Sequence, residues 1–234
     1  TIEISATAMN GTSTADAYIH AVGDIQLCGP NIVDRTFDLI ADGNITDMGQ
    51  GVGPWVISRD VVLQTTNGSI GTATDAVEIQ TTNVQFIAGG TNSNVYVENQ
   101  NIVTELMGDS SASGIFNLSV AGGGITNTTN PADKITARDV VLSTNGDSIG
   151  DAANPINIDA QTLNANVVSL PGVPRDAFIN SLSSIELTGN SSATGTFSLT
   201  SQNTISDFDQ DANITAVNVI LSSTDGSVGT NTNQ

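Results

Sequence analysis

Arg59-Asp60-Val61-Val62-Leu63-Gln64-Thr65-Thr66-Asn67-Gly68-Ser69-Ile70-Gly71 is the stretch of sequence that decides the fold. It returns as Arg138-Asp139-Val140-Val141-Leu142 leading to Ser148-Ile149-Gly150, and again as Val217-Asn218-Val219-Ile220-Leu221 leading to Ser227-Val228-Gly229. Both steps are 79 residues long. Because so constant a period indicates tandem copies of one unit, we predict one continuous domain over 1–234, with repeat units at approximately 1–76, 77–155 and 156–234.

A finer pattern within each unit predicts short strands. Pairs of apolar residues with one residue between them recur about every 15 to 24 residues, four pairs to a unit. Alternation with a period of two is typical of a strand that buries one face. The pairs are Ile2/Ile4, Ala17/Ile19, Phe37/Leu39, Val61/Leu63, Val77/Ile79, Val95/Val97, Phe116/Leu118, Val140/Leu142, Ile156/Ile158, Ala177/Ile179, Phe197/Leu199 and Val219/Leu221.

Strand, turn and strand repeated at this interval are typical of a β-solenoid. We therefore expect an all-β fold, a parallel β-helix with roughly a dozen coils of about 20 residues, stacked at about 4.8 Å per coil. Tandem Ig-like β-sandwiches of about 79 residues are the alternative, but they explain only the long period. The expected core comprises Leu27, Phe37, Leu39, Ile45, Val61, Leu63, Ile70 and their copies.

The charge of the chain disfavours several classes of partner. Asp and Glu number 24 against 5 Lys and Arg, so the formal net charge is −19. Nucleic acid requires a basic surface and is not an expected partner. An anionic membrane surface is disfavoured for the same reason, and no apolar run is long enough for membrane insertion. The negative charge remains compatible with the binding of cations, calcium above all.

The two ends of the sequence match in register. In the first two units the next apolar pair begins six positions after the closing glycine, from Gly71 to Val77 and from Gly150 to Ile156. Joining the end to the beginning would place Ile2 seven positions after Gly229. Solenoids need polar caps over their end coils, and neither end has one. We expect covalent continuation in a longer array, or a protomer that stacks head to tail on itself.

The repeats resemble the filamentous-haemagglutinin-like β-strand repeats of giant secreted bacterial adhesins. The resemblance covers nearly the whole chain and lies in the style of the repeat. It implies a right-handed parallel β-helix that acts as an extracellular or cell-surface fibre, stalk or adhesin and has no cofactor. The secretion domain of that family is not visible here, so the sequence does not support an export route. The segments that carry the resemblance are 37–45, 61–71, 116–125, 140–150, 197–205 and 219–229.

One group of carboxylates is a candidate calcium site. Asp207, Asp209 and Asp211 stand at alternate positions, and oxygen ligands at that spacing suit calcium. The Gly and Glu of an EF-hand loop are absent, and the matching loops of the other units lack the triplet. A polar loop without a metal is the alternative interpretation. We expect no other cofactor.

Three aromatic residues are candidates for surface binding. Tyr18, Tyr96 and Phe178 each stand between two small or branched residues. If those neighbours face the interior, the rings point outward along the rod, once per repeat. Such rings are suited to stacking on sugars of host or matrix glycans, or to packing against a neighbouring fibre. With the opposite parity they are core residues.

The sequence offers no constellation for catalysis, so we predict no catalytic residues. Arg59-Asp60 and Arg138-Asp139 are equivalent, but the third unit has Val217-Asn218. A feature present in two of three copies indicates a corner ion pair rather than a catalytic pair. One histidine, His20, and one cysteine, Cys28, are too few for a zinc site or a Cys/His nucleophile.

These observations predict a structural or adhesive repeat module of a bacterial extracellular fibre or cell-surface adhesin. The second hypothesis is a β-helix that binds carbohydrate or a receptor through one face, with or without calcium. A polysaccharide-degrading enzyme is the third.

Overall fold

The computed structural model describes residues 2–4, 8–49, 53–101, 103–168, 172–207, 210 and 212–229. These residues form strands and turns, and no helix is present among them.

Strands follow one another along the whole described chain. The first ten are β1 (Ile2–Ile4), β2 (Ala8–Met9), β3 (Thr12–Ser13), β4 (Ala17–Ala21), β5 (Ile25–Leu27), β6 (Asn31–Val33), β7 (Thr36–Ala41), β8 (Ile45–Asp47), β9 (Val56–Ile57) and β10 (Asp60–Thr65). The next nine are β11 (Val77–Gln80), β12 (Asn83–Ala88), β13 (Val95–Asn99), β14 (Val103–Leu106), β15 (Ser110–Ser111), β16 (Ile115–Val120), β17 (Gly124–Thr126), β18 (Lys134–Thr136) and β19 (Asp139–Asn145). The last nine are β20 (Ile156–Asp159), β21 (Thr162–Val168), β22 (Ala177–Ser181), β23 (Ile185–Leu187), β24 (Asn190–Ser192), β25 (Thr196–Ser201), β26 (Ile205–Ser206), β27 (Asn213–Thr215) and β28 (Asn218–Ser223).

The strands build a parallel β-solenoid, as the short period predicts. A 13-stranded sheet runs from β1 through β4, β7, β10, β12, β15, β18, β20, β22 and β25 to β28, and its other two strands are β14, which pairs with β12, and β17, which pairs with β14. A 12-stranded sheet runs in parallel from β3 to β26, and β2, β5 and β8 form a third, smaller sheet. The named strands pair in parallel, for example β10 with both β7 and β12. The alternative of tandem sandwiches is wrong, because sandwiches are built from antiparallel sheets.

The coils are longer and fewer than the spacing of apolar pairs suggests. Phe37 pairs with Val61, and Val61 with Val84, so stacked residues lie about 23 positions apart. About nine turns are present instead of a dozen. At about 4.8 Å per turn the rod is about 43 Å long.

The cause of this difference is a short step inside each repeat. From Val61 to Val77 and from Val140 to Ile156 the chain advances only 16 residues, which is less than a full turn. The next apolar pair therefore lands on the other sheet. The four pairs of the first and third repeats lie in the 13-stranded sheet, and those of the second lie in the 12-stranded sheet. One repeat is thus about three and a half turns.

The predicted core residues of the first repeat are buried, with exposures of 0 to 1%. Most of their copies are buried as well, including Phe116, Leu142 and Phe197. The prediction is wrong for Val219 and Val228, which are 47% and 49% exposed. Both belong to the last described coil, where nothing among the described residues stacks on their outer side.

Candidate functional site

The three candidate rings point outward but do not share one face of the rod. Tyr18 is 47% exposed, and Tyr96 and Phe178 are partly exposed. The neighbours Val95 and Val97 are buried, in agreement with the predicted parity. The expected single row is wrong, however. Tyr18 and Phe178 lie in the 13-stranded sheet and Tyr96 lies in the other, because each repeat ends with the short step.

Tyr96 sits next to a glycine turn of the preceding coil. The Ile70 N–H donates to the Asn94 carbonyl at 2.8 Å, and the Tyr96 N–H donates to the Ile70 carbonyl at 2.7 Å. The Asn94 N–H donates to the Ser69 hydroxyl at 3.0 Å. We call this contact between a Ser-x-Gly turn and an Asx-x-aromatic segment a turn joint.

The same turn joint recurs at Phe178. The Ile149 N–H donates to the Asp176 carbonyl at 2.9 Å, and the Phe178 N–H donates to the Ile149 carbonyl at 2.8 Å. The Asp176 N–H donates to the Ser148 hydroxyl at 3.0 Å. Two repeats therefore build the same three bonds from equivalent residues, although the joints face different sides of the rod.

Glycine is required in these turns for two reasons. Gly71 and Gly150 have φ values of 67° and 62°, in the left-handed region that favours glycine. A Cβ at Gly71 would lie 2.3 Å from the Tyr96 carbonyl oxygen, and one at Gly150 would lie 2.6 Å from that of Phe178. The closing glycine of the repeat thus lets the next coil approach.

A groove opens beside each of these two rings. The first has a volume of about 460 Å³ and the second about 230 Å³. An aromatic face beside amide, carboxylate and hydroxyl groups has the composition of a site for a polar ligand with an apolar face, such as a sugar. The first groove is lined by Asp24, Asn44, Ser69, Asn94 and Tyr96, among others. The second is lined by Asp147, Ser148, Asp151, Asp176 and Phe178, among others.

The polar residues of the first groove are held in place by bonds between coils. Asp24 accepts the Asn44 N–H at 2.6 Å, and Asn44 accepts the Ser69 N–H at 2.9 Å. Asn94 in turn accepts the Ile115 N–H at 2.8 Å. Each side chain replaces a missing strand bond at a corner, so the polar wall of the groove is part of the fold.

The two predicted corner ion pairs are present. Arg59 Nη2 lies 2.7 Å from Asp60 Oδ2, and Arg138 Nη2 lies 2.8 Å from Asp139 Oδ2. The hydrogen bonds from Arg59 hold the pKa of Asp60 below its usual value despite partial burial. Burial, followed by the negative charge of Asp139, raises the pKa of Tyr96.

The candidate calcium triplet falls largely outside the described residues. Asp209 and Asp211 are not described, and Asp207 accepts the Ala212 N–H at 3.4 Å. Within the described part of the chain, no group of three or more His, Cys, Asp or Glu residues is placed to hold a metal ion. Calcium binding stays a prediction from the sequence.

A buried pair of carboxyl groups is the feature that the sequence reasoning missed. Asp47 and Glu78 are only 4% and 5% exposed, and their carboxyl groups lie within hydrogen-bonding reach of each other. The indole N–H of Trp55 donates to Glu78 at 3.0 Å. Burial, together with the Glu78 carboxyl group, raises the pKa of Asp47 to about 7. The signal for Asp47 was available, since it stands two positions after the inward Ile45.

The pKa of a second buried carboxylate, Glu105, is lowered, whereas that of Asp47 is raised. It accepts the Thr128 N–H at 2.7 Å and the Thr129 N–H at 2.5 Å, as well as the Thr126 hydroxyl at 2.5 Å. Burial alone would raise its pKa, but these donors outweigh burial and lower it. Glu105 therefore anchors the loop after β17 as an anion.

The surroundings of His20 and Cys28 are typical of structural residues. His20 Nε2 lies 2.9 Å from Asp42 Oδ1 on the partly exposed face of β4, and Cys28 is a partly buried free thiol. Among the described residues no helix is long and apolar enough to cross a membrane.

In comparisons with known proteins, no protein-family model, no curated protein and no solved structure matches the chain.

Proposed function

We propose that this chain is a structural or adhesive repeat module of a bacterial extracellular fibre or cell-surface adhesin, and that it is not an enzyme. The observation that carries the proposal is the parallel sheet that connects β1 to β28. Successive coils are joined by rows of backbone bonds, such as the seven residue pairs between β19 and β21. A force between two coils is shared by all bonds of that row.

The surface supports the same proposal. Four arginines form ion pairs with neighbouring aspartates, and the excess of carboxylates leaves the rod strongly acidic. Like charges on neighbouring rods repel each other, which keeps long assemblies soluble and opposes side-to-side aggregation.

Labelling of intact cells tests this function. We expect an antibody against the chain to stain unpermeabilised producing cells, and mild external protease to remove the stain while a cytoplasmic marker survives. Staining that requires permeabilisation would contradict an extracellular role.

The grooves beside Tyr96 and Phe178 support a second candidate function, the binding of carbohydrate or a receptor glycan. Glycan-array screening followed by calorimetry tests it. We expect Tyr96→Ala to remove one class of site and Tyr96→Phe, which keeps the ring, to retain it. Phe178→Ala should remove the other class. Equal binding by the double alanine variant and the parent chain would end this hypothesis.

A further inference from the structure

Two Asn-Gly pairs stand in corresponding turns of the first two repeats. They are Asn67-Gly68 and Asn145-Gly146, each shortly before a Ser-Ile-Gly segment, and they are two of the three such pairs in the chain. An asparagine followed by glycine is prone to deamidation. The backbone nitrogen of the next residue attacks the side-chain carbonyl carbon, and a glycine has no side chain to shield its nitrogen. The rate of this reaction in the folded chain depends on what holds the two groups.

Both reacting groups are unrestrained at Asn67-Gly68. Asn67 is exposed, and its side-chain amide makes no hydrogen bond within the described part of the chain. The Gly68 N–H, too, has no acceptor among the described residues. The turn around them is fastened, because the Asn67 N–H donates to the Asp42 carbonyl at 3.1 Å and the Thr65 hydroxyl donates to the Gly68 carbonyl at 2.6 Å. The two groups can therefore meet without breaking a hydrogen bond of their own.

The second pair is held by the next coil. The Gly146 N–H donates to the Val168 carbonyl at 2.9 Å. Asn145 is the last residue of β19 and pairs with Val168 in β21. The difference arises because Gly146, and not Asn145, lies one period of 79 residues after Asn67, so that the same dipeptide is shifted by one position in the turn. Attack on Asn145 first requires a bond between coils to open.

The fold preserves the glycine at position 68. A Cβ there would lie 2.5 Å from the carbonyl carbon and oxygen of Gly43 in the preceding coil, so that no other residue fits without a shift of that backbone. The close packing of the two coils thus keeps beside Asn67 the residue that leaves it open to attack.

The third repeat shows that a carboxylate is compatible with this turn. Two periods after Asn67 stands Asp225, which is also followed by a glycine. The Asp225 N–H donates to the Gln202 carbonyl at 2.9 Å, in the same way as the Asn67 N–H donates to the coil before it. The third repeat therefore carries, as an encoded residue, the product that deamidation makes in the first.

We propose that Asn67 is a modification site at which the chain deamidates itself, taking up one water and releasing one ammonia. The Gly68 nitrogen bonds to Asn67 Cγ, and the side-chain nitrogen leaves as ammonia with the proton of the Gly68 N–H. One water then opens the cyclic imide at either carbonyl. Opening at Cγ gives aspartate, and opening at the backbone carbonyl gives isoaspartate, which lengthens the backbone by one carbon. Either product adds one negative charge to the rod, and the proposal does not depend on the fibre function.

Mass spectrometry of proteolytic peptides from the whole chain tests the site. During incubation at pH 8 we expect the peptide with Asn67 to deamidate roughly tenfold faster than the peptide with Asn145, because the hydrogen bond of Gly146 must open first. In concentrated urea, which removes the fold, the two rates should become similar, since a threonine precedes both pairs. Labelling by an isoaspartate methyltransferase should mark position 67 in the folded chain.

Two variants complete the test. Asn67→Gln, whose longer side chain disfavours the imide, should abolish the fast release of ammonia. Asn67→Asp, which places the product there directly, should unfold at the same urea concentration as the parent chain, and a large loss of stability would contradict the inference from the third repeat. Equal rates at Asn67 and Asn145 in the folded chain, or a slower rate at Asn67, would overturn the proposal. An Asn67 that stays intact until urea is added would overturn it as well.

Discussion

The buried carboxyl pair makes the stability of the rod depend on pH in an unusual direction. Asp47 ends β8 and Glu78 lies in β11. The N–H groups of Gly49 and Glu78 donate to the two Asp47 oxygens at 3.1 and 3.2 Å. With the pKa of Asp47 raised to about 7, the folded chain holds a proton there that the unfolded chain releases near pH 4.

The sign and size of the effect follow from this difference in pKa. Between about pH 4 and pH 7 the folded state binds more protons than the unfolded state, so the free energy of unfolding falls as pH rises. A shift of about three units corresponds to at most about 4 kcal/mol lost across that window. Above about pH 7 the Asp47 carboxylate is charged in a buried site.

Asp47→Asn removes the titrating group and should flatten this dependence. At pH 4 we expect the variant to be less stable by about 1 kcal/mol, because the amide offers one acceptor where the carboxyl group offers two. At pH 8 it should be more stable than the parent chain by about 2–3 kcal/mol. The free energies of unfolding of the variant and the parent chain should be equal near pH 5–6.

The single tryptophan provides a local probe, since Trp55 donates to Glu78. Urea unfolding followed by Trp55 fluorescence between pH 4 and pH 8 measures the difference between variant and parent directly. Asp225→Asn, at an exposed position, is the control for the loss of one negative charge. A difference that stays constant with pH, or that favours the parent chain increasingly as pH rises, would refute the reasoning from the raised pKa of Asp47.

Three further predictions concern the core, the turns and the metal. Leu142→Asp, at a position with 0% exposure, should cost more than about 4 kcal/mol in urea unfolding, whereas Val219→Asp on the open coil should cost under about 1 kcal/mol. Gly150→Ala should cost roughly 1–3 kcal/mol, and more than Gly172→Ala, where a Cβ meets nothing within 4 Å; equal melting temperatures would contradict the close approach. Calcium should raise the melting temperature if the triplet within 207–211 binds it, and chelation without any effect would end that prediction.

The direction of nearly every strand side chain could be predicted from the sequence. In pairs such as Phe37/Leu39 a period of two places both residues on one face, and the structure buries both. The same rule turned Tyr96 outward between Val95 and Val97. Alternation is a local consequence of the pleated backbone, so no knowledge of distant contacts is needed.

The Ser-Ile-Gly turn was visible in the sequence, but its role was not. Its recurrence indicated a repeated turn, and a glycine with a positive φ is what such a turn needs. Gly71 leaves room for the Tyr96 carbonyl of the next coil. This role depends on which residues of the two coils lie on top of each other. This pairing joins residues 25 positions apart, and no local pattern encodes it.

The sequence by itself determined that this protein is a β-solenoid and which side chains of most strands face its core, because both follow from periods that are visible locally in the sequence. Only the tertiary structure decided the length of a turn and the alternation of repeats between two sheets. It also decided the meeting of Asp47 with Glu78, 31 positions away. All three features depend on where the chain turns and on how successive coils pack against one another. This packing is set by contacts between residues that are distant in sequence.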